Sequence, residues 1–289
     1  MATVNEWIEG ARLRTLPAAA APVLIGTGAA VGLDAWSLPR AALAAGVALA
    51  LQVGVNYAND YSDGIRGTDD IRHGPQRLTG SGAASPQAVR RAAFASFGLA
   101  GIFGVVLCAL AGTWWLLAVG ALSVAAAWFY TGGRRPYGYR GLGELGVFVF
   151  FGLVAVLGTT YTQALRISWQ AIIGAVGVGL IACALLMVNN IRDLRQDQVA
   201  GKHTVAVRLG DRRARHAFVV LLVMPLVLVL PIARVHPVAL AVLILAIPIW
   251  RICRGVLAGA TGPQLIAALR HTGLVELAYG LLLGVALAW

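Results

Sequence analysis

Of 289 residues, 59% are hydrophobic and only 12% charged, a balance that excludes a water-soluble globule of this size and points to a protein embedded in a bilayer. The net charge of +11 would suit a nucleic-acid partner in a soluble chain. In a membrane protein the placement of Lys and Arg records orientation instead, so no nucleic-acid partner is expected.

The segment 1–14 mixes Glu6, Glu9, Arg12 and Arg14 with Trp7 and Ile8, which predicts a short interfacial helix and not a cleaved signal. Nine apolar stretches follow, near 15–33, 39–58, 92–111, 113–131, 142–162, 169–190, 215–233, 237–255 and 272–289. Each approaches the roughly 20 residues that a spanning helix needs. The predicted fold class is therefore all-α, a polytopic bundle of nine transmembrane helices forming one unit over 1–289. Pro17, Pro22, Pro225, Pro231 and Pro248 are expected to bound or kink spans.

Cys108, Cys183 and Cys253 lie in apolar spans without metal spacing and read as buried small hydrophobes. The five histidines, His73, His203, His216, His236 and His271, show no zinc-like spacing. All but Arg40, Arg166 and Arg234 of the 23 Lys and Arg residues fall on one side of this topology. That asymmetry predicts a cell-membrane protein with the N-terminus and the long loops 59–91 and 191–214 in the cytoplasm, and with Trp289 outside.

The outer connections are too short to hold a site, so function is expected on the inner face or within the bundle. There Asn59 and Asp63 recur as Asn189 and Asp193, offset by 130 residues. Both pairs end an even-numbered span. The recurrence suggests a duplication relating spans 2–4 to spans 6–8, which would make two acidic helix ends face each other across a central cavity.

On a helix, Asn59 and Asp63 share one face, and Asn189, Asp193 and Asp197 form a stripe at i, i+4 and i+8. Six of the 12 acidic residues, Asp60, Asp63, Asp69, Asp70, Asp193 and Asp197, occupy these two motifs, a concentration that ordinary surface decoration would not produce. Hard oxygen donors of this kind suit Mg²⁺, which shares its shell with substrate phosphates. A diphosphate also needs cations. Arg66 follows the first motif and Lys202, the only lysine beside 22 arginines, follows the second. A third inner loop, 130–144, joins Arg134 and Arg135 to Tyr130, Tyr137, Tyr139 and several glycines. It fits either a ligand-facing loop or an ordinary positive-inside loop with interfacial aromatics.

Taken together, segments 7–17, 56–69, 74–77 with Ser81-Gly82, 130–144 and 189–202 resemble, in order and over nearly the whole chain, the UbiA superfamily of intramembrane aromatic prenyltransferases. Within it the chain is similar to the 1,4-dihydroxy-2-naphthoate polyprenyltransferases of menaquinone synthesis. The resemblance implies nine helices around a cavity, with Mg²⁺ held by Asn59, Asp63, Asp69, Asn189, Asp193 and Asp197. It adds Arg134 and Arg135, with Tyr130, to Arg66 and Lys202 as the expected contacts of a polyprenyl diphosphate, and gives catalytic roles to Asn59, Asp63, Tyr130, Asp193 and Asp197. The superfamily's last Asp of the first motif falls on Gly67, which leaves both Asp69 and Asp70 as candidates for the metal. The implied reaction is prenylation of 1,4-dihydroxy-2-naphthoate with loss of CO₂, giving demethylmenaquinone.

Other readings compete. The acceptor could be another aromatic such as 4-hydroxybenzoate. Asp60-Tyr61-Ser62-Asp63-Gly64 begins like the motif of membrane CDP-alcohol phosphotransferases, but the match stops at Gly67-Thr68. A cation-coupled transporter with inverted repeats would place carboxylates at mid-membrane, whereas here they lie at inner helix ends.

Overall fold

The computed structural model describes residues 2–67 and 77–289, and among them the regular structure is entirely helical. In chain order the helices are α1 (Val4–Ala11), α2 (Pro17–Val31), α3 (Leu38–Gly64), α4 (Pro86–Ala111), α5 (Leu116–Phe129), α6 (Gly143–Ala164) and α7 (Trp169–Arg192). They continue as α8 (Leu194–Val199), α9 (Val205–Leu209), α10 (Asp211–Ala233), α11 (Pro237–Leu257) and α12 (Gly262–Ala288). Seven of them, α3, α4, α6, α7, α10, α11 and α12, are long and apolar enough to cross a membrane. The shorter apolar helices α2 and α5 stand where the first and fourth spans are predicted.

α1 forms because Thr3 and Glu6 make a reciprocal capping box. Trp7 then packs edge-on against Tyr57 of α3, ring centroids 5.6 Å apart, and the Tyr57 hydroxyl donates to the Trp7 carbonyl at 2.9 Å. α1 ends at Arg12, whose φ of 53° is left-handed, and the chain turns through Leu13–Thr15 into Pro17, the first residue of α2. Asn56 of α3 holds this turn by donating to the Ala11 carbonyl at 2.8 Å and to Thr15 Oγ1 at 2.9 Å.

The core is centred on α7, which packs against α6, α10 and α12, while α2 lies along α12. Small residues let these last two helices touch by backbone: a methyl group added at Gly28 would sit 2.0 Å from the Gly284 carbonyl oxygen. Cys108, Cys183 and Cys253 are buried free thiols, as expected.

Two segments depart from regular α geometry. α6 runs as a π-helix over Phe148–Val154, and α11 begins as a 3₁₀-helix over Pro237–Leu245. π-Helical stretches recur at functional sites. Here Phe150, Phe151, Leu153 and Val154 all line the central cavity.

Candidate active site

A cavity of about 1050 Å³ lies among α2, α3, α4, α5, α6 and α7. Its long wall is apolar, built from residues such as Val47, Leu51, Leu116, Val124, Phe150 and Phe151. Its polar end gathers Asn59 and Asp63 from α3, Asn189 and Asp193 from the end of α7, Asp197 from α8, and Lys202.

α3 continues unbroken through the first motif to Gly64, so Asn59 and Asp63 do share a face. Asn59 Oδ1 accepts from the Thr131 hydroxyl at 2.8 Å, and an Asp63 carboxylate oxygen accepts from the Tyr139 hydroxyl. Asp60 faces elsewhere. It is wholly buried, and its carboxylate accepts the backbone N–H groups of Leu78 and Thr79 at 2.9 and 2.8 Å, clamping that segment to α3. Asp69 and Asp70 lie outside the described residues.

The second motif is not a continuous helical stripe. α7 stops at Arg192, Asp193 adopts φ −93° and ψ 6°, and α8 starts at Leu194. At the break Arg192 grips the Asp193 carboxylate through Nε at 2.7 Å and Nη2 at 2.6 Å. Backbone hydrogen bonds from Asp193 N to the Asn189 carbonyl and from Asp197 N to the Asp193 carbonyl still bridge the kink, which keeps Asp197 at the cavity.

Lys202 joins the motifs. Its Nζ lies 3.8 Å from Asp63 Oδ1 and 3.8 Å from Asp197 Oδ1, and 4.4 Å from the centre of the Tyr139 ring. The backbone fixes this position: Lys202 N donates to the Asp197 carbonyl at 2.8 Å and His203 N to the Tyr139 carbonyl at 2.7 Å. At 3.8 Å, inside a largely desolvated cleft, these charges interact far more strongly than they would in water.

The expected arginines are distributed differently. Arg66 donates to the carbonyls of Thr131 and Gly133, and its guanidinium lies 5.5 Å from the Tyr139 ring centre, so it straps the 131–139 loop to α3 without lining the cavity. Arg134 and Arg135 are exposed and also lie off the cavity wall. The cationic places at the wall go instead to Arg12 and Arg77, which the motif spacing did not single out. Arg12 Nη2 is buried with no hydrogen-bond partner among the described residues. Both arginines lie in segments, 7–17 and 74–77, that carry the family resemblance, and the bonds from Asn56 to Ala11 and Thr15 hold the first of these against α3.

Tyr130 lines the cavity and packs edge-on against Tyr137, centroids 5.5 Å apart. Gly138 is required there because a methyl group on it would meet the Tyr130 carbonyl at 2.7 Å. Burial pushes the Tyr137 hydroxyl up to about 12, so at neutral pH it is a hydrogen-bond donor and not a base.

Among the described residues no group of three or more His, Cys, Asp or Glu side chains forms a ready-made metal cage. Asp63, Asp193 and Asp197 with the amides of Asn59 and Asn189 are nevertheless hard oxygen donors at one end of one cavity. That set fits Mg²⁺, which takes one or two carboxylates and leaves its remaining positions to water and phosphate.

The profile of the UbiA prenyltransferase family matches residues 19–287. The 1,4-dihydroxy-2-naphthoate octaprenyltransferase of Mycobacterium tuberculosis (strain ATCC 25618 / H37Rv) is 51% identical over 289 residues, covering 100% of this chain and 99% of that protein. In fold, a UbiA homolog from Aeropyrum pernix K1 superposes with a TM-score of 0.71 at 17% identity, covering 93% of this chain and 96% of that one. A UbiA homolog from Archaeoglobus fulgidus, bound to DMAPP and Mg²⁺, gives 0.68 at 15% identity, covering 96% and 98%. The acidic motifs converging on one apolar cavity and the match along nearly the full sequence lead to one conclusion: the chain belongs to the UbiA prenyltransferase family.

Proposed function

We propose that the protein transfers a polyprenyl group from polyprenyl diphosphate to 1,4-dihydroxy-2-naphthoate, releasing CO₂ and diphosphate and giving demethylmenaquinol, the reduced form of demethylmenaquinone. The observation that carries this reading is the approach of Asp63 and Asp197 to Lys202 at the polar end of a cavity with a mostly apolar wall. The whole-length similarity to a naphthoate octaprenyltransferase supports the choice of acceptor.

The apolar wall accepts the prenyl tail and withholds water from the reacting carbon. Lys202, with Arg12 and Arg77 at the rim, neutralises the diphosphate as the allylic C–O bond breaks and its electron pair leaves with oxygen. The rings of Tyr130, Tyr137 and Tyr139 present π faces and edges to the allylic cation. The ring carbon bearing the carboxylate forms the new C–C bond. The C–CO₂ bond then breaks and returns its pair to the ring, so no proton leaves that carbon and no base is needed there. Asp63, Asp193 and Asp197, with Asn59 and Asn189, would hold Mg²⁺, which when bound supplies Lewis-acid charge neutralisation to the diphosphate oxygens.

In this reading the N-terminus and the polar end of the cavity face the cytoplasm and Trp289 lies outside. The two halves, spans 2–4 and 6–8, each contribute one acidic helix end.

Purified protein in detergent, given Mg²⁺, a polyprenyl diphosphate and either 1,4-dihydroxy-2-naphthoate or 4-hydroxybenzoate, tests the proposal by product mass. Prenylated naphthoquinol and CO₂ are expected with the naphthoate alone. Turnover of 4-hydroxybenzoate without CO₂ would contradict the assigned acceptor, and no turnover of either would contradict the assigned reaction.

A further inference from the structure

The groove between α11 and α12 shares no lining residue with the central cavity. It encloses about 830 Å³ and is walled by apolar side chains that include Ile247, Ile252, Leu274 and Val275. Arg251 and His271 enter it from opposite helices. Both are exposed, and among the described residues no side-chain hydrogen bond or ion pair engages either one. No carboxylate lines the groove. Asp211 is already bonded to Arg215 Nε at 2.8 Å, and Glu276 on α12 is wholly buried and lines neither the groove nor the cavity.

The closed end of the groove is fixed. Arg215 Nη1 donates to the carbonyls of Val256 and Ala260 at 2.6 and 3.0 Å, pinning the turn between α11 and α12. Depth is marked by Trp250, whose ring carries the Arg254 guanidinium at 5.5 Å, an aromatic and cationic pairing typical of the headgroup level. From Arg251 and His271 the floor continues as apolar side chains to Leu245 and Ala278, further into the membrane-spanning part of both helices.

We propose that this groove is a binding site for an anionic phospholipid, with its phosphate at Arg251 and His271 and an acyl chain along the α11–α12 seam. Basic pockets between spanning helices bind acidic headgroups because the headgroup anion and the apolar chain are both satisfied in one place. A soluble anion would meet only the first of these features. A second copy docked groove to groove by twofold symmetry would bring two such sets of basic side chains into one interface to which the groove contributes no carboxylate.

Native mass spectrometry of protein released from nanodiscs of equal parts phosphatidylglycerol and phosphatidylcholine tests the site. The wild-type protein is expected to retain phosphatidylglycerol over phosphatidylcholine by at least about fivefold, the scale of one basic group at a charged surface. Arg251→Gln with His271→Gln should return the bound ratio to that of the bulk lipid, while Arg251→Lys should keep most of the enrichment. Arg234→Gln, at the other end of α10, should leave the ratio unchanged. Equal retention of the two lipids by the wild type, undiminished enrichment in the double variant, or a dimer cross-linked through Arg251 would each overturn the proposal. The wild-type ratio and Arg251→Lys decide the matter even where the double variant fails to fold.

Discussion

Asp63 and Asp197 stand in different halves of the chain yet share one cation, each with Oδ1 3.8 Å from Lys202 Nζ. The pairing connects the end of α3 to α8 across the cavity mouth. It also separates the basic residues near the site into those that face the cavity and those that hold loops.

That separation has a kinetic consequence. Lys202→Ala removes a buried charge at the proposed diphosphate end and should lower kcat/KM by about 100-fold or more, the scale of losing one preorganised stabilising donor. Arg134→Ala and Arg135→Ala remove exposed side chains off the cavity wall and should stay within about threefold of wild type. Steady-state rates on the three variants decide the point. Equal losses in all three would mean that the 133–136 turn closes onto substrate.

Tyr139 offers a finer test, because its hydroxyl donates to Asp63 while its ring centre lies 4.4 Å from Lys202 Nζ and 5.5 Å from the Arg66 guanidinium. Tyr139→Phe keeps the ring and loses the hydrogen bond, so kcat is expected to fall about tenfold. Tyr139→Leu loses both and should fall further. Identical rates for the two variants would show that the ring contributes nothing.

The contact between α2 and α12 predicts a stability effect with no direct catalytic cause. Gly28→Ala forces a methyl group toward the Gly284 carbonyl and should destabilise the bundle by about 1–3 kcal/mol, seen as a lower unfolding temperature in detergent. An unchanged melting curve would mean that the two helices separate at little cost.

Orientation can be read by labelling. Cys108, Cys183 and Cys253 are all buried, so the native chain should resist a membrane-impermeant maleimide. Arg195→Cys and Arg234→Cys should then be labelled from the cytoplasmic and the outer side respectively. The reverse pattern would invert the proposed topology.

Much of this architecture was legible in the sequence because bilayer spans are written in composition. The apolar stretches near 92–111 and 169–190 correspond closely to α4 and α7. The first motif was also legible, since α3 carries it on a regular helix to Gly64. The second was not fully so, because the chain leaves regular helix at Asp193, a break that helical periodicity does not encode. Lys202 stood out as the only lysine, but residue spacing did not separate it from Arg66, Arg134 and Arg135 as a cation facing the ligand. Their separation depends on a loop whose side-chain directions are set by tertiary bonds to Thr131, Gly133 and Tyr139. Arg12 entered the cavity through a left-handed residue that no residue spacing announces.

Both acidic motifs are expected to act on one diphosphate. Calorimetric titration of a non-reactive prenyl thiodiphosphate in the presence of Mg²⁺, on wild type, Asp63→Asn, Asp197→Asn and the double variant, forms a thermodynamic cycle around the two motifs. Strong weakening in each single variant, with the double variant little weaker than the worse single, is the expected result. Losses that simply add, or tight binding retained by either single variant, would contradict it.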